Sequence, residues 1–227
     1  MLVERSMHPG WLSNAYVVAD EPGGTAVFVD SGAPLEPLLA VVERERLTPT
    51  HLLLTHGHGD HVAGNDELER RFGLEVTQEG VEAGALRVRA LPTPGHSSDG
   101  VSFVVDDLVC FSGDTLFRDA VGGTQNDFEG VRSSVMEVLM QLPPETRVLP
   151  GHTEETTIGR EWEENPFVRV WRGLDPEGTE PCRVGGHDAT LVVWSPDYDG
   201  KGKAWVRFAS GRDMIVGGSH VERGISS

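Results

Sequence analysis

The sequence has few cysteines and no long apolar runs, and each shortage excludes a class of protein. Its 227 residues include two cysteines, Cys110 and Cys182, which are too few for the disulfide framework of a small secreted protein. No apolar run approaches the roughly 20 residues that cross a bilayer. The N-terminus, MLVERSMHPGWL, lacks the basic and apolar regions of a signal peptide. We therefore expect a cytoplasmic protein that does not enter a membrane.

Basic charge is also scarce. The chain has 19 lysines and arginines against 36 aspartates and glutamates, and its net charge is −17. A protein that follows a nucleic-acid backbone or an anionic membrane surface needs a positive footprint, so neither partner is expected. The contents of 38% hydrophobic and 24% charged residues are typical of a globular fold, and the acidity is explained by solubility.

The first three quarters of the chain alternate between strand and helix patterns. Two β-branched runs joined by the turn EPGG predict a hairpin, and helical spacing of leucines predicts a helix over 34–47. The remaining predictions are strands at 51–56, 86–92, 100–107, 108–114 and 146–152, and helices at 61–73, 128–142 and 159–165, where Pro166 interrupts the last. This alternation predicts an α/β fold in which helices cover the sheets.

The composition changes after Trp171. A segment rich in Gly, Pro and acids precedes three predicted strands at 189–195, 203–209 and 213–218. We therefore divide the chain into a domain at 1–172 and a small β-rich segment at 173–227. This segment is either a compact all-β module similar to SH3-type barrels or a β-extension packed on the main domain.

The C-terminal segment has no cluster of His, Asp or Cys. We expect it to shape the approach to a site or to form an interface, such as that of a homo-oligomer, without supplying chemistry. Its acids, in DPEG and SPDYDG, are expected in solvated turns. Trp194, Trp205 and Phe208 are expected to form a small apolar core or a docking face.

A histidine cluster follows the predicted strand at 51–56. The stretch THGHGDHVAGN places three histidines and one aspartate within six residues. In extended backbone His56 and His58 leave on the same side, whereas Asp60 and His61 follow as the chain turns into a helix. Four adjacent ligands do not reach one ion without strain. The spacing therefore favours His56 and His58 on one metal ion, and Asp60 and His61 on a second.

Three further candidate ligands stand alone at predicted strand ends. His96, Asp114 and His152 each follow an apolar run and are each preceded directly by glycine, where the bare backbone can approach a ligand site. Imidazoles with carboxylates suit Zn²⁺, and also iron or manganese, which the sequence does not separate. The histidines that lack this setting are predicted to have structural or surface roles: His8, His51, His187 and His220.

These motifs occur in a family order. HGHGDH, TPGH, SGDTLF and PGH resemble the metallo-β-lactamase fold superfamily of hydrolases, and most closely its glyoxalase II-like (hydroxyacylglutathione hydrolase-like) branch, over roughly residues 10–171. The resemblance implies a four-layer αββα sandwich with metals at one edge of the sheets. It assigns His56, His58 and His96 to the first metal, Asp60, His61 and His152 to the second, and Asp114 to both.

The resemblance implies a dinuclear metal hydrolase. Two divalent ions, zinc first with iron or manganese as alternatives, lower the pKa of a shared water and polarise a carbonyl. The implied reaction is hydrolysis of a thioester, ester or lactone-type acyl bond, with Asp60 as the catalytic residue that orients the water or takes up its proton. The substrate is a small acyl compound, and no substrate-binding residue is identified.

The sequence departs from the glyoxalase II pattern in several places. Gly123 stands where an arginine is expected, Thr153 stands where many relatives have glycine, and residues 173–227 offer no helical glutathione-binding domain. These differences argue against glutathione thioesters but not against hydrolysis. One alternative is a mononuclear iron persulfide dioxygenase of the same fold. Another is a non-enzymatic protein that binds a partner through the C-terminal β segment, and the complete ligand set argues against it.

Overall fold

Two β-sheets form the centre of the molecule. The computed structural model describes residues 1–124 and 127–224. The first sheet runs β1-β2-β3-β4-β5, with strands β1 (Leu2–Met7), β2 (Asn14–Ala19), β3 (Thr25–Val29), β4 (Thr48–Leu53) and β5 (Val76–Thr77). The next strands are β6 (Val81–Ala83), β7 (Leu86–Pro92), β8 (Val101–Val105), β9 (Val109–Gly113), β10 (Leu116–Phe117), β11 (Ala120–Val121), β12 (Arg147–Pro150) and β13 (Thr156–Thr157). The second sheet runs β13-β12-β9-β8-β7-β6, and β10 with β11 forms a small ribbon.

The two sheets pack face to face. Val18 and Val27 of the first sheet share one apolar core with Phe103 and Phe111 of the second. Helices cover the outer faces: α1 (Glu36–Arg44) and α3 (Asn65–Phe72) pack on the first sheet, and α4 (Phe128–Ser133), α5 (Ile158–Glu164) and α6 (Pro166–Trp171) pack on the second. The one-turn helix α2 (Gly59–Val62) lies at the edge of the sandwich, after β4. The αββα sandwich implied by the resemblance is confirmed. In the part of the chain that the structure describes, no helix has the length and apolar character needed to cross a bilayer.

A third sheet contains the C-terminal strands. It runs β17-β16-β15-β14-β18, with β14 (Glu180–Val184), β15 (His187–Ser195), β16 (Lys203–Phe208), β17 (Asp213–Gly217) and β18 (Val221–Arg223). One side of this sheet has its own small core, which includes Cys182 and Val206. The other side presents Trp205 and Ile215 to the core under α4 and α6. The C-terminal strands therefore form one sheet that packs on the main fold by one face and has a small core of its own on the other. Residues 225–227 lie outside the described part.

Several elements differ from their predictions. The predicted helix at 128–142 is α-helical only in α4 and continues as a π-helical turn (Ser134–Val138) and a 3₁₀ turn (Leu139–Gln141). In the π turn, Ser134 donates its hydroxyl hydrogen to Pro94 O at 2.7 Å, which ties this helix to the loop that carries His96. Pro166 ends α5 as predicted, but it also begins α6, because proline is favoured at the first position of a helix. The predictions missed α6 and eight strands, namely β1, β5, β6, β10, β11, β13, β14 and β18.

The junction between the C-terminal sheet and the main fold generates a stability prediction. Trp205 is 4% exposed, and its ring lies 4.9 Å from Phe128 and 6.3 Å from Trp171, centroid to centroid. Trp205→Ala should lower the free energy of unfolding by about 3–5 kcal/mol, since it leaves a cavity in the core beneath α4 and α6. Urea denaturation followed by circular dichroism measures the change.

A matched control lies on the neighbouring strand. Trp194 is 37% exposed, so Trp194→Ala should lower the free energy of unfolding clearly less than Trp205→Ala. Equal losses in the two variants would show that the junction core does not stabilise the protein as described.

Candidate metal centre

The seven predicted ligands all lie at the carboxyl ends of strands. His56 and His58 follow β4, and Asp60 and His61 lie in the short helix α2 that comes next. The other three come from the second sheet: His96 follows β7, Asp114 follows β9 directly, and His152 follows β12 by two residues. Because the two sheets pack face to face, these ends meet at one edge of the sandwich, and the structure brings all seven side chains together.

Three histidines form the first group of candidate ligand atoms. His58 Nδ1 lies 3.0 Å from His56 Nε2 and 3.1 Å from His96 Nε2. His56 is buried, and the other two are partly exposed. Three imidazole nitrogens at this spacing outline one face of a coordination shell.

Asp60, His61 and His152 form the second group. His152 Nε2 lies 3.4 Å from Asp60 Oδ2, and His61 Nε2 lies 3.8 Å from the same oxygen. His61 and His152 are 0% and 3% exposed, whereas the Asp60 side chain is 28% exposed. Asp60 is therefore the member of this group that is open to solvent.

Asp114 lies between the two groups. Its Oδ1 is 3.4 Å from His61 Nε2, and its Oδ2 is 3.4 Å from His152 Nε2 and 3.5 Å from His96 Nε2. One carboxylate therefore contacts nitrogens of both groups, in the position that the resemblance assigns to a bridging ligand.

The hydrogen bonds of the first group leave lone pairs facing each other. Thr55 donates its hydroxyl hydrogen to Asp30, so the Thr55 oxygen is free to accept from His56 Nδ1 at 3.1 Å. His96 Nδ1 donates to Gly123 O at 2.9 Å. His56 Nε2 and His96 Nε2 are then bare, and His58 Nδ1 carries at most one hydrogen for both. Such a convergence of nitrogen lone pairs fits a bound cation, so this group is suited to a metal ion.

The second group is also suited to a cation. His61 Nδ1 lies 2.8 Å from the Asp30 carboxylate and donates to it, which leaves Nε2 buried and without a hydrogen-bond partner among the described residues. Burial opposes a positive charge on His61, but Asp30 and Asp114 outweigh it and raise its pKa to about 9. For His152, Asp114 and Asp60 outweigh burial and raise its pKa to about 10. The carboxylates therefore stabilise positive charge at this end of the site.

The first group has the opposite electrostatic character. Burial lowers the pKa of His56 to about 4, and burial also lowers the pKa of His96. Both rings are neutral near pH 7, which is the state in which imidazole binds a metal ion. For Asp114, burial opposes the charge, but His152, His61 and His56 hold its pKa well below the usual range, so it stays ionised.

Glycine is required beside these ligands. A Cβ on Gly151 would overlap Asp114 Oδ1 and lie 2.8 Å from His61 Cε1. A Cβ on Gly113, whose φ is +49°, would lie 2.7 Å from Thr55 Cβ. The glycines that precede His152 and Asp114 thus let the backbone approach the neighbouring side chains closely, as the sequence pattern predicted.

Asp30 is a site residue that the sequence interpretation missed. It follows β3 directly, is 2% exposed, and accepts hydrogen bonds from the Thr55 backbone N–H, the Thr55 hydroxyl and His61 Nδ1, each at 2.8 Å. Through Thr55 and His61 it orients one histidine of each group. The sequence contains one indication of this role: like Asp114, Asp30 directly follows an apolar strand, in the stretch VDSG.

The C-terminal sheet also reaches the site, which corrects an expectation. Asp197, in SPDYDG, is not in a solvated turn: its side chain is 3% exposed and lies 2.9 Å from Lys203 Nζ. The next residue, Tyr198, stacks on His152. Burial raises the pKa of the Tyr198 hydroxyl, and the charges of Asp114 and Asp197 raise it further.

The remaining histidines take no part in the ligand groups. His8 stacks on Trp11 with a centroid distance of 4.4 Å, and His51 Nδ1 lies 2.9 Å from the Thr50 hydroxyl. His187 and His220 are exposed in the C-terminal sheet.

Known proteins with similar sequences and structures have the same fold. A profile of the metallo-beta-lactamase superfamily matches residues 8–77. The hydroxyacylglutathione hydrolase-like protein of Homo sapiens is 35% identical over 211 residues, which cover 78% of this chain and 71% of that protein. The structure of ETHE1 from Myxococcus xanthus is 28% identical with a TM-score of 0.65, covering 75% of this chain and 85% of that one. The protein TTHA1623, solved in a di-iron-bound form, is 32% identical with a TM-score of 0.59, covering 71% of this chain and 98% of that one.

The contacts of Asp30 generate a prediction for metal affinity. Asp30→Asn removes the negative charge beside His61 and leaves a neutral amide in its place, so metal affinity should fall about 10- to 100-fold. Titration of the metal-free protein with Zn²⁺ against a chelating dye measures the affinity. Asp66→Asn is the matched control because Asp66 is an exposed residue at the start of α3, and it should bind as the wild type does. Equal affinities of all three proteins would contradict the role of Asp30.

The backbone at Thr153 generates a second prediction. Its φ is +70°, a left-handed conformation that is strained for a β-branched residue and that glycine adopts freely. Thr153→Gly should therefore raise the free energy of unfolding by about 1 kcal/mol, with the metal content unchanged. Thermal denaturation tests this, and a lower melting temperature would show that contacts of the Thr153 side chain outweigh the strain.

Proposed function

Because this chain belongs to the metallo-β-lactamase superfamily, we propose that it is a hydrolase that holds two divalent metal ions and cleaves an acyl bond in a small molecule. The observation that carries this proposal is the pair of ligand groups joined by Asp114. Seven candidate ligands are too many for one ion of four- to six-fold coordination. The di-iron-bound form of TTHA1623 supports two ions in this fold.

The side chains of the site suit hydrolysis. Two bound ions supply an activated water near neutral pH and polarise a carbonyl group. Asp60 contacts only the second group and is the more exposed of the two carboxylates, with 28% exposure against 9% for Asp114. We therefore assign to Asp60 the role of orienting an attacking water and accepting its proton. Asp114, buried between His61, His96 and His152, has the role of offsetting charge on both sides of the site.

The bond that is cleaved is proposed to be a thioester, ester or lactone. The relative named hydroxyacylglutathione hydrolase-like protein supports a thioester as the first substrate to test. Gly123 bears on specificity: it stands where glyoxalase II is expected to have arginine, and its carbonyl accepts from His96. An arginine contact to substrate is therefore absent at this position, which favours an acyl compound other than a glutathione thioester. Zinc is the metal we expect, and cytoplasmic location and assembly through residues 173–227 stay predictions.

A second candidate uses half of the site. His56, His96 and Asp114 offer two imidazoles and one carboxylate, and Asp114 Oδ2 lies 4.0 Å from His56 Nε2 and 3.5 Å from His96 Nε2. Two histidines and one carboxylate are the ligand set of non-haem iron oxygenases, and this observation keeps a one-iron persulfide dioxygenase as the alternative. The dioxygenase reaction would give no catalytic role to the contact between Asp60 and His152, whose Oδ2 and Nε2 atoms lie 3.4 Å apart.

Metal analysis distinguishes the two candidates. Protein purified without added metal should contain about two zinc ions per chain by mass spectrometry. His152→Ala removes a ligand of the second group only, so it should retain about one ion and lose at least 100-fold in kcat/KM on the best substrate of a thioester, ester and lactone panel. His51→Ala is the control, because His51 lies outside both groups and should keep both ions and full activity.

The contrary outcome is equally specific. A single iron in the wild type, with oxygen uptake on glutathione persulfide and no hydrolysis in the panel, would replace the proposed function by the dioxygenase. Two ions that both remain in His152→Ala would refute the assignment of the second group.

A further inference from the structure

His152 lacks the hydrogen bond that orients other ligand histidines of the site. His56, His61 and His96 each have Nδ1 in contact with an oxygen, those of Thr55, Asp30 and Gly123 respectively. His152 Nδ1 is buried and has no hydrogen-bond partner among residues 1–124 and 127–224. A metal-ligating imidazole is usually held by such a contact, because the ring otherwise rotates about its side-chain bonds. Something else must orient His152.

Tyr198 covers one face of the His152 ring. The two rings lie nearly parallel, with an interplanar angle of 9° and centroids 4.2 Å apart. Phe117 meets both rings edge-on, at 6.0 Å from His152 and 5.8 Å from Tyr198. A flat stack on one side and an aromatic edge beside it restrict rotation of the imidazole, so packing takes the place of the missing hydrogen bond.

The position of Tyr198 is itself fixed by a buried ion pair. Tyr198 lies in the loop between β15 and β16 of the C-terminal sheet. Asp197 accepts from the Tyr198 backbone N–H at 3.0 Å, and its other oxygen lies 2.9 Å from Lys203 Nζ. Lys203 Nζ in turn lies 5.4 Å from the centroid of the Tyr198 ring and 5.6 Å from that of Phe117. Ion pair and cation–π contacts together hold the loop against the site.

Hydrogen bonds anchor the C-terminal sheet on the same side of the main fold. Thr124 N donates to Ile215 O, and Ile215 N donates to the Thr124 hydroxyl, each at 2.8 Å. Ser195 donates its hydroxyl hydrogen to Asp119 O. The loop that carries Tyr198 begins directly after Ser195, so its starting point is tied to the turn between β10 and β11, a few residues beyond the ligand Asp114.

We propose that Tyr198 is a positioning residue of the metal centre, through which the C-terminal sheet orients His152 and sets the affinity of the second metal ion. The aromatic ring does this work, and the hydroxyl is not needed. The inference rests on the proposed two-ion site, but it concerns a residue outside the ligand set and a segment to which the sequence assigned no chemistry.

Metal titration of three proteins tests the inference without any activity assay. Tyr198→Ala removes the stacked ring, and Tyr198→Phe keeps it without the hydroxyl. Stepwise addition of Co²⁺ to metal-free protein, followed by visible absorption, measures the affinity of each step. In Tyr198→Ala the second ion should bind about 10- to 100-fold more weakly with the first step unchanged, whereas Tyr198→Phe should bind as the wild type does.

Phe208→Ala controls for general loosening of the C-terminal sheet. Phe208 packs against the sheet's own core, which lies on the face opposite the main fold. The Phe208→Ala variant should therefore be less stable than the wild type but should bind both metal ions with wild-type affinity. An unchanged second step in Tyr198→Ala, an equal loss in Tyr198→Phe, or an equal loss in Phe208→Ala would each overturn the inference.

The proposed function and this inference fail in different ways. The number of ions bound by the wild type decides whether the site is dinuclear. The difference between Tyr198→Ala and Tyr198→Phe at the second step decides the role of the ring. Two ions in the wild type with no difference between these variants would leave the proposed function standing and end the inference.

Discussion

Nitrogen lone pairs and carboxylate oxygens converge on one small space at the edge of the sandwich, and this convergence is unfavourable unless positive charge fills it. Asp30, Asp60 and Asp114 bring three negative charges toward imidazoles that are mostly buried. Taking such charges out of water costs several kcal/mol each unless an opposite charge compensates. Protons on His61 and His152 compensate in part, which is why their pKa values are high. Two divalent cations would compensate more completely, so the electrostatics of the fold and the proposed chemistry have one origin.

The strands determine where this charge accumulates. Side chains with ligand atoms follow β4, β7, β9 and β12, and Asp30 follows β3, so five strands end at the same edge. The apolar core between the sheets holds these strands rigidly, with Phe103 and Phe111 fully buried or nearly so. A rigid scaffold keeps the ligand atoms about 3–4 Å apart although their mutual repulsion would otherwise separate them. The packing free energy of the sandwich therefore offsets the electrostatic repulsion between the ligand atoms.

Sequence patterns located the ligands well because each ligand is marked locally. Every one follows an apolar strand, and five of the seven have glycine immediately before them, so short stretches of sequence carried the information. Asp30 and Tyr198 were missed because their roles depend on contacts with residues 31 and 46 positions away, His61 and His152. The same reason explains Asp197: a Pro-Asp-Tyr-Asp-Gly stretch is a turn by composition, and only tertiary packing places its first aspartate beside Lys203. Local patterns also predicted the position of the helix at 128–142 but not its π turn, which coincides with the contact from Ser134 to Pro94.

The C-terminal sheet contributes both to the packed core and to the surroundings of the metal centre. Its face with Trp205 and Ile215 completes the core beneath α4 and α6, and its β15–β16 loop reaches the ligand His152. The two contacts are mechanically connected, because Ile215 also pairs with Thr124, next to the Gly123 carbonyl that orients His96. A shift of this sheet against the main fold would therefore move contacts of one histidine in each ligand group. Packing stability and metal geometry are in this way coupled through the contacts between this sheet and the main fold, and separation of the two should weaken the centre before the sandwich itself unfolds.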